Sequence, residues 1–119
     1  MSSKTNNNVV FIQLLADEYS RAIMARTSIK EYSALQLSRE LDIPHTTVYR
    51  KLKILEYAKL IQTVRTVIDR VGNEEKYYRC TVREATVKFK GGDVLISVEK
   101  LDYKDKFVML WKMLSKPES

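Results

Sequence analysis

The stretch Ser33-Ala34-Leu35-Gln36-Leu37-Ser38-Arg39-Glu40-Leu41-Asp42-Ile43-Pro44-His45-Thr46-Thr47-Val48-Tyr49-Arg50-Lys51-Leu52-Lys53-Ile54-Leu55-Glu56-Tyr57-Ala58 decides the fold. It opens on a Ser-x-x-Gln pattern, a capping box in which the Ser33 hydroxyl accepts from the Gln36 amide and the Gln36 side chain accepts in return from Ser33. Ala34, Leu37 and Leu41 follow at helical spacing on one face. Asp42-Ile43-Pro44 interrupts the pattern. A second helix is expected over 45–58, with Val48, Leu52 and Leu55 turned inward. Two short helices joined by so brief a break, and sharing the apolar set Leu37, Leu41, Ile43, Val48, Leu52 and Leu55, read as a helix-turn-helix.

In that motif the outer face of the second helix is free to enter the major groove of a duplex. Here it carries His45, Thr46, Thr47, Tyr49, Arg50 and Lys53. Arg50 has the two-pronged donor geometry that suits guanine, and threonines meet thymine methyls or phosphates. Lys51 and Lys53 fit backbone positioning better than base reading. Tyr49 has two readings, a groove contact or a ring half-buried against whatever follows the helix.

Outward from this core, residues 1–7 read as a flexible tail. Val9–Ala16 begins a helix that Asn7 or Asn8 would cap. Tyr19, Ala22, Ile23 and Arg26 continue the helical spacing, as one broken helix or two short ones. After Leu60 the period shifts toward two. Strands are expected over 61–71 and 77–82, around the turn signal Gly72-Asn73-Glu74-Glu75. A second hairpin, 85–90 and 93–100, closes through Gly91-Gly92, which permit the positive φ angles of a primed turn. Val87 and Phe89 would then share a face with Val94, Ile96 and Val98. A last helix is expected over about 103–115. It is apolar nearly all round, since only Lys112 is polar between Phe107 and Leu114, so one face suits its own domain and another a second copy.

The 119 residues fit a single domain, and 45% hydrophobic with 30% charged residues can build a core. One Cys and one His exclude a disulfide framework and leave almost nothing for a zinc site. The longest apolar run, Phe107–Trp111, is far short of the roughly 20 residues a bilayer span needs. Met1–Asn8 is polar and does not read as a signal peptide, so a cytoplasmic protein is expected. Between Pro44 and Lys90 stand eleven basic side chains against five acidic ones, and this segment carries the whole formal charge of +6. A basic block inside foldable sequence suits a polyanion, although a merely solvated face has the same composition. No nucleophile–base pair, phosphate-cradling Gly loop or paired-carboxylate motif points to an enzyme.

The run from Leu37 to Ile61 resembles the winged helix-turn-helix of ArsR-like regulators, the archaeal ones especially. Lys76-Tyr77-Tyr78-Arg79 is similar to the family's second wing strand. The likeness covers about residues 10–82. It implies a winged helix-turn-helix over 8–82; with the added β-hairpin and C-terminal helix read over 83–119, in the same compact domain, the expected fold is α+β. It further implies a homodimeric, sequence-specific double-stranded DNA-binding transcriptional regulator acting on an inverted-repeat operator, with no metal or other cofactor. The wing would lie beside the backbone or minor groove through Arg70, Asn73 and Lys76. The terminal helices would form the dimer interface through Phe11, Leu14, Leu15, Phe107, Val108, Leu110, Trp111 and Leu114.

The sequence departs from the family pattern in three ways. Pro44 replaces a common capping Ser, and Lys59 replaces the Gly that usually turns the chain after the second helix. The thiolate pair of the metal-sensing members is missing, which leaves Cys80 as a small hydrophobe and His45 as a groove or surface residue. Arg65 and Arg79 could pair with Asp69 or Glu84 across the sheet, at about 0–1 kcal/mol each. Two other readings of the whole stay open: a winged-helix protein-interaction module and a non-specific architectural DNA binder.

Overall fold

The computed structural model describes the backbone of residues 2–101 and the side chains of residues 9–101; the expected last helix lies outside them. The chain divides into two compact units between Cys80 and Thr81. In the first, α1 (Ser2–Ala16) takes in the residues read as a tail. Residues 2–8 contain neither Gly nor Pro, so nothing in their backbone chemistry stops the helix earlier. The chain breaks at Asp17, whose extended backbone caps α2 (Glu18–Ile29). The Asp17 carboxylate accepts from Ser20 N and from Ser20 Oγ, both at 2.8 Å. The helical stretch is therefore two helices.

β1 (Tyr32–Ser33) is a two-residue strand without a local sequence signal, and its last residue is also the cap of α3 (Ala34–Leu41). The capping box forms as the sequence predicts: Gln36 N donates to Ser33 Oγ at 3.2 Å, and Ser33 N donates to Gln36 Oε1 at 3.0 Å. Asp42, in the left-handed region at φ 54°, turns the chain out of α3. The turn is held by Ile43 N to Ser38 O at 3.1 Å and by Ser38 Oγ to Ile43 O at 2.6 Å. α4 (His45–Tyr57) then starts at Pro44, which supplies no side-chain cap.

Lys59 holds the left-handed conformation that a Gly usually takes after such a helix, at φ 64°. Its N–H donates to Glu56 O and Leu60 N donates to Leu55 O, both at 2.9 Å, which is the paired closure of a Schellman motif. Leu55 and Leu60 are both buried there. The turn thus keeps its geometry with a lysine, against the roughly 1–2 kcal/mol that a Cβ costs in this region.

β2 (Ile61–Ile68) and β3 (Glu74–Cys80) form the wing in an antiparallel sheet of order β1-β3-β2. Ile61 pairs with Cys80 at the buried end and Ile68 with Glu74 at the exposed end. β2 stops three residues earlier than expected because Asp69 builds the turn. Its Oδ1 accepts from Val71 N and Asn73 N, each at 2.9 Å. Glu74 and Glu75 are drawn into the strand by pairing with Ile68 and Val67. Ile23, Leu37, Val48, Leu52, Leu55, Leu60 and Ile61 are fully buried and form the core.

In the second unit β4 (Val82–Lys90) and β5 (Asp93–Lys100) pair antiparallel, with Gly91 and Gly92 at φ 58° and 85°. The register sets Val87 against Ile96 and Phe89 against Val94, so the apolar side chains share the face the sequence assigns them. No helix among the described residues is long and apolar enough to cross a membrane.

Candidate nucleic-acid interface

Successive α-helical residues turn by about 100°, so the burial of Val48, Leu52 and Leu55 fixes every other position on α4. Thr46, Arg50, Lys53 and Tyr57 lie opposite the core, and all four are exposed. Arg50 and Lys53 have no side-chain hydrogen bond or ion pair among the described residues. The cationic side of the helix is bare.

The two flanks of that face differ. Toward the wing stand His45 and Tyr49, whose rings meet edge to face at 4.7 Å between centroids. Both rings remain exposed, and with Lys53 and Glu56 they form one wall of a cleft of about 580 Å³. The wing supplies the other wall, including Val67, Asn73 and Lys76. Tyr49 therefore borders the cleft as an open ring and is not packed under the wing. Glu56 is tied down by Thr63 Oγ1, which donates to it at 2.9 Å. Tyr78, at the inner end of the cleft, has its phenol pushed up by burial and then by the Glu56 charge.

On the other flank Thr47 is half-buried, and Lys51 Nζ lies 3.1 Å from Asp17 Oδ2. Lys51 is thus engaged with the start of α2 and holds α4 in place. Alternate positions on a helix point different ways, and the partner is 34 residues away, so no local pattern reveals the pair. The Asp17 carboxyl is held below its ordinary value, mostly by the Ser20 hydroxyl against a desolvation cost, with help from the Ser20 N–H and Lys51. A carboxyl lowered in this way stabilises the fold fully above its unfolded value of about 3.9 and loses that contribution as pH falls through its folded value. Asp17→Ala is expected to cost about 0.5–2 kcal/mol at neutral pH. In thermal melts at a series of pH values, the gap from wild type should close as acid protonates Asp17.

The wing is less basic than its sequence neighbourhood. From Asp69 to Lys76 the carboxylates of Asp69, Glu74 and Glu75 outnumber Arg70 and Lys76. Arg70 and Lys76 are exposed, whereas the Asn73 amide donates to Asp69 Oδ2 at 3.2 Å and belongs to the turn. The Asp69 carboxyl is held below its ordinary value chiefly by the Asn73 N–H.

Arg65 and Arg79 find partners other than Asp69 and Glu84. Arg65 Nε reaches Glu31 at 2.6 Å, and its guanidinium lies over the Tyr77 ring at 4.0 Å. Arg79 donates to the carbonyls of Thr27 and Ser28 at 3.0 and 3.1 Å and closes the C-terminal end of α2. Cys80 is buried. Phe11 and Leu14 are buried in the single chain and Leu15 half-buried, while Val9 and Val10 are exposed on α1. Phe107, Val108, Leu110, Trp111 and Leu114 lie outside the described residues. One outward residue was not singled out in the sequence: Tyr57, 89% exposed, one helical turn beyond Lys53. Its position at helical spacing from Arg50 and Lys53 was the available signal.

Residues 15–64, from the end of α1 into the wing, match a family model described as a helix-turn-helix domain. Together with the wing this defines the class by fold: a winged helix-turn-helix protein. The whole chain is similar in fold to NolR from Sinorhizobium fredii, with a TM-score of 0.56 and 13% identity, over 98% of this chain and 92% of that one. It is similar also to HlyU from Vibrio cholerae N16961 in its reduced form, with a TM-score of 0.53 and 15% identity, over 98% and 97%. A second HlyU structure gives the same score and identity and is covered in full. No curated protein matches the chain in sequence. The fold is ArsR-like, as the resemblance of residues 37–61 implies.

Proposed function

We propose that the protein is a sequence-specific double-stranded DNA-binding transcriptional regulator that acts as a homodimer in the cytoplasm. The observation that carries this reading is the bare face Thr46-Arg50-Lys53-Tyr57 on a helix whose other side is locked into the core. Arg50 reads a guanine edge, Thr46 a neighbouring base or phosphate, and Lys53 the backbone. The uncapped first turn of α4 adds N–H groups and the positive end of the helix dipole toward the same phosphates. His45 and Tyr49 border the groove on the wing side, and Arg70 and Lys76 offset the wing's carboxylates where it meets the backbone.

In the dimer two copies of α4 enter successive major grooves about 34–36 Å apart, so the operator is an inverted repeat. The seam uses the apolar segment from Phe107 to Leu114, with Val9, Val10 and Leu15 on α1 in place of the buried Phe11 and Leu14. Selection of bound duplexes from a random pool tests the reading: an inverted repeat with half-sites one helical turn apart is expected. Recovery of unenriched sequence at every round would overturn it in favour of an architectural binder.

Salt dependence separates the lysines. Lys53→Ala and Lys76→Ala are each expected to weaken all duplexes alike and to reduce the slope of log affinity against log salt by about one. Lys51→Ala should leave that slope unchanged and lower the melting temperature instead. Titrations at several salt concentrations, beside thermal melts, check both outcomes.

A further inference from the structure

We infer that the cleft between α4 and the wing is a binding site for a small organic cation, an ammonium group carried on a short apolar body. At about 580 Å³ the cleft lies within the size range of small-molecule sites. Its inner end holds a hydrogen-bonding group with nothing to bond. Tyr78 is 6% exposed, and its hydroxyl makes no hydrogen bond among the described residues. Every fully buried side-chain N or O atom among those residues does have a partner, so the Tyr78 hydroxyl is the part of that residue that opens into the cleft. A phenol on so buried a ring ordinarily finds a partner in its own chain. Here it is left for a ligand.

The surrounding charge selects the sign of that ligand. The carboxylates of Glu56, Asp69, Glu74 and Glu75 line the cleft against the amines of Lys53 and Lys76. Asp69 is engaged in the wing turn, and Glu75 accepts from the Tyr77 hydroxyl at 3.2 Å. Glu56 is the carboxylate whose charge is felt at Tyr78. It accepts from Thr63 and has no cationic partner among the described residues. An ammonium group at the inner end donates to Glu56 and to the Tyr78 oxygen, while the open Tyr49 ring offers it a π-face. Leu35 and Leu52 supply apolar wall for the body behind it. A phosphate or carboxylate meets the reverse, an excess of negative charge and no guanidinium in the lining. The inference concerns the free protein and does not rest on DNA binding.

Phenethylammonium is the probe, with phenethyl alcohol and hydrocinnamate as its neutral and anionic counterparts. In amide-resolved NMR titrations of the full-length protein without DNA, phenethylammonium is expected to saturate and to shift the signals of Tyr49, Glu56 and Tyr78. The alcohol should bind more weakly and hydrocinnamate most weakly. Glu56→Gln, which keeps an acceptor for Thr63, should weaken the ammonium several-fold and bring it level with the alcohol. Tyr78→Phe, which keeps the buried ring, should weaken both. Tyr49→Ala on the exposed ring does the same work for the ammonium should Tyr78→Phe melt early, and Arg50→Ala on the bare face of α4 should change nothing. The absence of saturable shifts with phenethylammonium, or hydrocinnamate binding as tightly, overturns the inference. So does an affinity indifferent to the Glu56, Tyr78 and Tyr49 variants, or one that Arg50→Ala lowers as much as they do.

Discussion

Replacing Arg50 with alanine is expected to lower affinity for the selected duplex by about 1–3 kcal/mol, a loss of roughly 5- to 150-fold, and to relax selectivity at one base pair in each half-site. The size follows from the geometry of α4. Arg50 projects directly away from Val48, Leu52 and Leu55, and no carboxylate among the described residues holds its guanidinium. Its donors are thus available to a base edge, with no ion pair among the described residues to break first. Arg26 and Arg65 differ in this respect, since each is already engaged with a glutamate at 2.6 Å. A mobility-shift titration of Arg50→Ala against the selected duplex and against single-base variants of it measures both effects. Because Arg50 touches none of the core, its melting temperature should stay that of the wild type. An affinity left intact while Lys53→Ala reduces the salt slope would mean that the helix meets only the backbone.

The comparison of Arg50 with Lys51 shows what the sequence makes legible. Features written within one helical turn are readable: the Ser33–Gln36 box, the inward spacing of Val48, Leu52 and Leu55, and the Gly91-Gly92 turn. Partnerships across long separations are not. Lys51 with Asp17, Arg65 with Glu31, and Arg79 with the end of α2 join residues that carry no mutual signal in the chain. β1 is two residues long and exists because β3 pairs with it, at Tyr32–Tyr78 and Ser33–Tyr77. The basic excess over 44–90 therefore overstates the surface open to a polyanion, since three of its cations serve the fold. Phe11 and Leu14 are buried in the single chain, and an apolar helix face reads alike whether its own chain or a partner covers it.

Leu37→Ala is expected to destabilise the first unit by about 2–5 kcal/mol. Leu37 is fully buried on α3, in the core that Val48, Leu52 and Leu55 complete from α4. Removing it deletes apolar surface and leaves a cavity that two short helices, pinned at Ser33 and Asp42, have little freedom to close. In a unit of this size each kcal/mol moves the melting temperature by about 4–8 °C, so a circular-dichroism melt resolves even the low end of the range. The effect on DNA must be of a different kind from that of Arg50→Ala. Leu37 touches no ligand, so affinity should fall only with the folded fraction and return to the wild-type value on cooling or with a stabilising osmolyte. Arg50→Ala should show the reverse, unchanged melting with an affinity loss that cooling does not repair. The two variants measured side by side distinguish the residue that builds the helix pair from the residue that the pair presents.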